Sequence, residues 1–353
     1  MNLKRTSLYQ EHVALKAKIV PFAGWDMPVQ YTSVKDEVLA VRQKVGVFDV
    51  SHMGEFFVIG KDAIKFVDHL VTNDIQNAPL KKAVYSPLCR ENGTVIDDLI
   101  VYLLDPEKVL ICVNASNIEK DFEWMKSQLK GFNCELSNHS EDYSLLAIQG
   151  PQSFETLKSF FPGLEDIEYY SVTTIDKFIF ARTGYTGEDG FEVFGSHHEI
   201  NVLWTNLIKK GVTPCGLAAR DVLRLEVTYP LYGHELNDDI TPLDAQLNWT
   251  VKLKKPSFIG RDYLSANKPK FKTIKLSLEK GIPREGYNIV NDKNEVIGVV
   301  TSGTQSVMLN KGICLARIEI DKLPQNEVFF VDIRQKLYIA NLEKKPFYNG
   351  GHK

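Results

Sequence analysis

The feature that most constrains the fold is a change of pattern near residue 264. Before it, apolar residues recur with helical spacing in some segments and with strand spacing in others. After it, short β-like runs dominate, separated by polar turn residues. These later runs are Thr273–Leu278, Val296–Thr301, Val328–Ile333 and Leu337–Ala340. Because 353 residues are also too many for one ordinary core, the sequence predicts two or three domains, the last a small all-β barrel or roll.

The region between residues 54 and 136 predicts a separate module of mixed helices and strands. The expected elements are a strand at Glu55–Ile59, a helix that carries Ala63, Val67 and Leu70, a hairpin of Val95–Leu104 and Lys108–Val113, a helix that carries Ile118, Phe122, Met125 and Leu129, and a strand at Phe132–Leu136. Ser116-Asn117-Ile118-Glu119 is typical of a capping box at the start of the second helix. Strands separated by two helices in this way are typical of a split β-α-β, ferredoxin-like module.

A glycine-rich loop, Arg182–Glu192, follows strands expected near Tyr170–Ile175 and Phe178–Arg182. Three glycines in seven residues indicate a tight connection with positive φ or close backbone approach. The loop also carries an aromatic ring, two hydroxyls and three carboxylates, which is more polar chemistry than a hairpin needs. At this point both a solvated turn and a ligand-binding loop are open interpretations. The loop lacks the glycine patterns of phosphate-binding sites.

Two charged pairs interrupt otherwise apolar elements. Asp97 and Asp98 lie within Val95–Leu104, a run whose apolar character is typical of a strand covered on both faces. One carboxylate can therefore point into a cleft as an acid, a base or a cation partner. The alternative is that both cap a turn at the frayed start of the strand. Arg220 and Arg224 lie one turn apart on a predicted helix, where they form surface pairs or bind a carboxylate or carbonyl group.

Composition and spacing argue against several classes of protein. The net charge of −3 is not that of a typical nucleic-acid-binding protein. No apolar run approaches the roughly 20 residues that span a bilayer, and Met1–Ser7 contain no apolar signal segment. The cysteines and histidines lack the spacings of metal sites, so no metal is expected. We expect a soluble cytoplasmic protein, with a solvated face at His12 and a satisfied structural role for His52. Lys252–Lys255 is expected to form a solvated face, with a docking spot for an acidic partner protein as the alternative.

Ten segments, in order along nearly the whole chain, carry a resemblance to one family. They are Phe22–Tyr31, Gly46–Glu55, Ile96–Tyr102, Gln149–Pro151, Arg182–Glu192, Gly216–Glu226, Leu231–Leu236, Phe258–Arg261, Val300–Gly303 and Lys345–Tyr348. Each segment alone is a weak signal, but the ordered set is highly specific. The chain resembles the T-protein of the glycine cleavage system, a tetrahydrofolate-dependent aminomethyltransferase.

The resemblance implies an α+β, three-domain cloverleaf with folate bound in a central channel. It implies a discontinuous folate-binding domain at residues 1–50 and 138–264, a ferredoxin-like domain at 51–137 and a C-terminal β domain at 265–353. The implied partner is the lipoylated H-protein, whose dihydrolipoyl arm carries an aminomethyl group. The methylene of that group passes to tetrahydrofolate, which yields 5,10-methylenetetrahydrofolate, ammonia and the reduced arm. Neither a metal nor a flavin is implied.

The resemblance also implies roles for individual residues. Asp98 matches the carboxylate beside the reacting folate nitrogens, where it would orient the folate and stabilise developing positive charge. Glu192 matches the carboxylate that accepts hydrogen bonds from the pterin, which leaves Glu188 and Asp189 as expected turn residues. The other residues implied for the folate pocket are Met53, Tyr85, Ile100, Asn114, Tyr169, Tyr185 and Arg220.

Two loops depart from the family pattern. Asn92-Gly93-Thr94 stands where two glycines are expected, and Ser306-Val307 stands where Ser-Pro is expected. Two other functions stay open. A folate-dependent demethylase would carry an attached flavin-binding domain, which is not apparent in the sequence. A non-catalytic folate-binding protein would carry a K-G-C-Y-x-G-Q-E motif, which the sequence lacks.

Overall fold

The computed structural model describes residues 3–351. Its α-helices are α1 Tyr9–Ala14, α2 Val34–Gln43, α3 Ala63–Leu70, α4 Ile118–Ser127, α5 Ser153–Lys158, α6 His197–Lys209, α7 Leu217–Glu226 and α8 Arg261–Ala266. Short 3-10 turns lie at Ala115–Asn117, Asn248–Thr250 and Ile320–Lys322. Its strands are β1 Lys18–Phe22, β2 Trp25–Gln30, β3 Gly46–Asp49, β4 Gly54–Ile59, β5 Ala83–Cys89, β6 Val95–Asp105, β7 Lys108–Val113, β8 Glu135–Asn138, β9 Tyr143–Gln149, β10 Val172–Ile175, β11 Phe178–Ala181, β12 Gly190–Ser196, β13 Thr213–Pro214, β14 Phe271–Leu278, β15 Asn288–Val290, β16 Val296–Gln305, β17 Gly312–Glu319, β18 Phe329–Asp332 and β19 Leu337–Glu343.

The domain boundaries stay a prediction. Those expected at residues 1 and 353 lie outside the described residues, as do the first two residues of the segment searched for a signal.

A six-stranded sheet, in the order β10-β11-β12-β9-β3-β13, supports one part of the fold. β3 precedes residues 51–137 and the other five strands follow them, so this sheet is assembled across a long insertion. Alternate strand residues face opposite sides. One side packs against α6, where Trp204, Phe180 and Phe191 are fully buried. The other side packs against α2 and α7, so both faces of the sheet are covered.

A five-stranded antiparallel sheet, in the order β5-β6-β7-β4-β8, forms the second part. Without the edge strand β5, this is the strand order of the split β-α-β module, so the ferredoxin-like prediction is confirmed. α3 and α4 contribute to the apolar core of this module. The predicted capping box is wrong, because Ser116 lies within the 3-10 turn before α4 and the residue at the N-cap, Asn117, forms no side-chain cap. Its amide instead donates to Asp97 Oδ1 at 2.6 Å.

The C-terminal region forms a closed barrel of six strands, β14-β17-β16-β15-β18-β19, which confirms the predicted all-β domain. β15 and β17 are not among the predicted strands. β17 pairs along its length with both β14 and β16 and is central to the barrel. Its buried residues run almost continuously and so give little of the alternation that marks a strand in a sequence.

A buried network around Arg42 of α2 corrects the expectation for the glycine-rich loop. The guanidinium donates to Glu188 Oε1 at 2.9 Å and to Glu226 Oε2 at 2.8 Å, and all three side chains are almost fully buried. Asp189 forms two 2.8 Å hydrogen bonds with Arg182. Glu188 and Asp189 are therefore ion-pair partners that hold the loop, not plain turn residues.

Two side chains expected to be solvated are buried. His12 Nε2 lies 2.8 Å from Asp49 Oδ2, and its Nδ1 lies 2.9 Å from the Tyr31 hydroxyl. Lys255 lies 3.0 Å from Asp68 and also donates to three backbone carbonyls. Both expectations are wrong for one physical reason: the partner that makes burial tolerable is distant in sequence.

Candidate functional site

A cavity of about 1480 Å³ lies between the two sheets and the barrel. Aromatic and aliphatic side chains form much of its wall, with a few polar groups among them, as is typical of sites for small molecules. All nine residues predicted for the site line this cavity, namely Met53, Tyr85, Asp98, Ile100, Asn114, Tyr169, Tyr185, Glu192 and Arg220. The structure thus brings the predicted residues together, while the role of each stays a prediction.

Asp98 is fixed on β6 by two hydrogen bonds. The Tyr85 hydroxyl donates to Oδ2 at 2.9 Å, and Asn114 Nδ2 donates to Oδ1 at 3.0 Å. Both aspartates lie within β6 and accept bonds from neighbouring elements, so the alternative of a frayed strand start is wrong. A carboxyl group on a central strand with two donors is held in a defined position in the cavity.

Asp97 and Asp98 form a closely coupled pair. Asp97 is fully buried and accepts hydrogen bonds from the backbone and side-chain nitrogens of Asn114, at 3.0 and 2.8 Å, and from Asn117. Burial and then the charge of Asp97 raise the pKa of Asp98 to about 7, against the opposing effect of its bonds from Tyr85 and Asn114. Asp98 therefore changes its charge near neutral pH, whereas an exposed aspartate does so near pH 4.

Glu192 lies on β12 with one carboxylate oxygen occupied. The Tyr102 hydroxyl donates to Oε2 at 3.2 Å, and Thr183 Oγ1 donates to the same oxygen at 2.5 Å. Glu192 is 8% exposed, so the surrounding protein holds it tightly. Oε1 remains as the oxygen that can accept a hydrogen bond from a ligand in the cavity.

Arg220 on α7 offers a cation with free donors. Its guanidinium lies 4.4 Å from the centre of the Tyr185 ring, and the Tyr185 hydroxyl is anchored by donation to the carbonyl of Pro230. Within residues 3–351, no carboxylate or carbonyl accepts a hydrogen bond from this guanidinium. A stacked arginine with unused donors suits a carbonyl or carboxylate of a bound molecule.

His52 and Trp249 are two lining residues of the cavity that the sequence analysis did not assign to the site. His52 is 4% exposed, and its Nδ1 has no partner among the described residues, so the expectation of a satisfied structural histidine is wrong. Burial lowers the pKa of His52 to about 4, which keeps the ring neutral. Trp249 is 58% exposed and stacks on Tyr85 with ring centres 5.8 Å apart. Local pattern gives no clear signal for it, because Trp249 lies in a short 3-10 turn between the buried Leu247 and Val251.

The described part of the chain contains no cluster of His, Cys, Asp and Glu side chains suited to a metal ion. Between residues 3 and 351, no helix combines the length and the apolar character needed to cross a membrane.

Residues 8–255 match the GCVT N-terminal domain, and residues 272–349 match the glycine cleavage T-protein C-terminal barrel domain. The aminomethyltransferases of Thermosipho melanesiensis and Thermotoga maritima are 47% and 46% identical to the chain, and both matches cover 99% of it and 99% and 98% of the relatives. The aminomethyltransferase of Staphylococcus saprophyticus is 42% identical over 97% of this chain and 98% of its own.

The crystal structure of the glycine cleavage system aminomethyltransferase T from Bartonella henselae has the same fold. It matches with a TM-score of 0.93 at 30% identity and covers 99% of both chains. The agreement thus extends over both family domains. The chain therefore belongs to the glycine cleavage T-protein family of aminomethyltransferases.

Proposed function

We propose that this protein is the tetrahydrofolate-dependent aminomethyltransferase of a glycine cleavage system. It takes the aminomethyl group carried on the dihydrolipoyl arm of the lipoylated H-protein and passes the methylene to tetrahydrofolate. The products are 5,10-methylenetetrahydrofolate, ammonia and the reduced arm. The observation that carries the proposal is the presence, in one cavity, of Asp98, whose charge changes near neutral pH, and of Glu192, which has an unused oxygen.

The side chains of the cavity fit a folate. Glu192 Oε1 can accept hydrogen bonds from the exocyclic amine and a ring N–H of the pterin. Tyr85 and Tyr185 supply aromatic faces against which flat rings pack. The unused donors of Arg220 suit a carbonyl or carboxylate group. When bound, tetrahydrofolate supplies the nitrogens that receive the transferred carbon.

Asp98 acts electrostatically. Tyr85 and Asn114 hold the carboxylate in place before the reaction, so no reorganisation is needed when positive charge develops on a substrate nitrogen. The apolar side chains of the cavity wall lower the local dielectric constant, which strengthens this interaction. A carboxyl group whose pKa is about 7 is partly ionised at neutral pH, so we expect turnover to rise with pH through that range.

The remaining predicted residues have supporting roles. Met53 and Ile100 provide apolar wall, Tyr169 adds a further ring, and Asn114 orients Asp98. The proposal includes a cytoplasmic location, which is consistent with the five cysteines, all of them free thiols.

The central test is ammonia release by the purified protein, given tetrahydrofolate and aminomethyl-loaded H-protein. Asp98→Asn should retain the fold and folate binding but lower turnover by about 10²–10³-fold, as expected for loss of one preorganised electrostatic group. A coupled assay measures ammonia, and fluorescence titration measures folate binding.

Asp105→Asn is the matched control, because Asp105 is an exposed carboxylate at the end of the same strand. It should leave turnover unchanged. Full turnover in Asp98→Asn would remove Asp98 from the mechanism, and absence of ammonia with the unmodified protein would reject the proposed function.

A further inference from the structure

Asp121 on α4 is a buried carboxyl group that the proposed function does not use. It is 0% exposed, and within the described residues neither of its oxygens has a hydrogen-bond partner. An ionised carboxylate in such a place is strongly unfavourable, so the group keeps its proton. Burial and then the nearby Asp97 raise the pKa of Asp121 well above its usual value.

Asp121 shares a helix face with a residue that contacts the aspartate pair. Asn117 and Asp121 are four residues apart at the start of α4 and therefore share one face of the helix. The Asn117 amide on that face reaches Asp97 Oδ1 at 2.6 Å. Asn114 Nδ2 then joins the two aspartates, at 2.8 Å to Asp97 Oδ1 and 3.0 Å to Asp98 Oδ1. A continuous path of polar groups thus runs from α4 to the cavity.

We propose that Asp121 is a positioning residue for Asp98, and that it acts through Asp97 as a neutral carboxylic acid. Its O–H is directed toward Asp97 and lowers the field that the Asp97 charge exerts on Asp98. Because Asp121 is neutral, it also adds no third negative charge beside Asp97 and Asp98. The inference builds on the role of Asp98 in the proposed function but can be tested without turnover.

Three tyrosines and Lys120 also face this cluster, and the Lys120 ammonium acts against the rise in the pKa of Asp121. Burial is the largest of the causes that raise the pKa values of Tyr85, Tyr185 and Tyr232 above the usual value, so these rings stay neutral. Lys120, beside Asp121 in sequence, directs its ammonium to the Tyr232 hydroxyl at 2.8 Å and to Asp238.

Two substitutions separate the proposed role from simple packing. Asp121→Asn keeps neutral donors toward Asp97, so the pKa of Asp98 should stay where it is. Asp121→Leu removes the donors, so the pKa of Asp98 should rise by about half a unit, a fraction of the 1–3 units that a full neighbouring charge produces. The pKa is read from the pH dependence of turnover and, without substrates, from ¹³C NMR titration of the aspartate carboxyls.

Glu55→Gln is the control, because Glu55 is another fully buried carboxyl without hydrogen-bond partners, on β4. It should leave the pKa of Asp98 unchanged. An unchanged pKa in Asp121→Leu, or an equal rise in Asp121→Asn, would overturn the proposal. If the leucine variant does not fold, Asp121→Ala takes its place.

Infrared spectroscopy of the free protein at pH 8 tests the protonation directly. The buried Glu55 also contributes to the carboxylic-acid C=O absorption of the unmodified protein, so the component that belongs to Asp121 should disappear in Asp121→Asn and remain in Glu55→Gln. An absorption that Asp121→Asn leaves unchanged would show that Asp121 is ionised and would overturn the proposal. Absence of ammonia release, by contrast, would reject the proposed function and leave both spectroscopic results standing.

Discussion

At the scale of single residues, the ionised form of Asp98 that the proposed reaction needs is also the form that destabilises the folded protein. The ordinary pKa of 3.8 for Asp98 applies to the unfolded chain, and its pKa in the folded protein is about 7. Between these values the folded state holds a proton that the unfolded state has released. The stabilising contribution is therefore present below about pH 4 and is lost as the pH rises through 7. The pH range in which the anion is available for catalysis is the range in which it destabilises the protein.

We predict that Asp98→Asn is more thermally stable than the unmodified protein at pH 8 and equally stable at pH 4. The substitution replaces a group that must ionise in a buried position with one that stays neutral. Thermal unfolding at the two pH values measures the difference. The same gain in melting temperature at both pH values would show that the substitution acts through packing and not through ionisation.

The sequence marks some of the site residues for clear physical reasons. Asp98 is conspicuous because a carboxylate interrupts an apolar strand, and the structure places it within β6. Glu192 is not distinguishable by local pattern from Glu188 and Asp189, since all three lie in one acidic loop, and only the family resemblance separates them. The burial of His12 could not be predicted, because its partner Asp49 is 37 residues away.

At the scale of elements, the glycine-rich loop is held from two sides. Gly187 has a φ of +78°, and a Cβ at this position would lie 2.2 Å from Val227 Cγ1 at the end of α7. The Gly187 carbonyl accepts a hydrogen bond from the Gly351 amide at 2.9 Å, so the C-terminal segment lies over the loop. Tyr185 belongs to this loop and lines the cavity, so the position of the loop backbone determines one wall of the cavity.

We predict that Gly187→Ala destabilises the protein by about 1–3 kcal/mol, because it adds both backbone strain and a close contact. The displaced loop should also weaken folate binding. Chemical unfolding and fluorescence titration measure the two effects. Gly163→Ala is the control, since a Cβ there meets no atom within 4 Å. Equal stability of the two variants would contradict this account of the loop.

Strong alternation and helical spacing make most elements predictable, but local pattern fails where tertiary contacts decide. β17 escapes prediction because strands on both sides bury it almost continuously. The capping box before α4 fails because Ser116 lies in a 3-10 turn, where the neighbouring Asn117 donates its amide to Asp97, 20 residues earlier on β6. The local sequence shows which side chains can form a hydrogen bond, but it does not show which distant residue the fold brings within reach of them.

At the scale of the whole molecule, the cavity exists only while three parts stay together. Asp98 comes from the five-stranded sheet, Glu192 from the six-stranded sheet, and Leu315 and Phe329 of the barrel close another side. Arg224 of α7 fastens the barrel to the rest. It is 1% exposed and donates to Ser302 Oγ of β16 at 2.8 Å.

Arg224 also contacts the barrel indirectly, through a buried ion pair with Glu235. It donates to Glu235 Oε2 at 3.2 Å, and Glu235 in turn accepts a 2.6 Å hydrogen bond from Thr301 of the barrel. Arg224→Met should cost about 3–5 kcal/mol of unfolding free energy, because it leaves the buried Glu235 without its cation. Lys322→Ala is the control, since Lys322 belongs to an exposed ion pair with Glu319 and its loss should leave the free energy of unfolding almost unchanged.

The stabilisation of the protein by tetrahydrofolate should show whether Arg224 holds the barrel against the cavity. If Arg224 holds the barrel against the cavity, the rise in melting temperature that tetrahydrofolate produces should shrink in Arg224→Met, since ligand stabilisation depends on affinity for the folded state. Glu235→Gln in the same chain removes the unpaired charge and should restore part of the unfolding free energy. Arg224→Met with unchanged stability and an unchanged folate-induced shift would show that the barrel is held by other contacts.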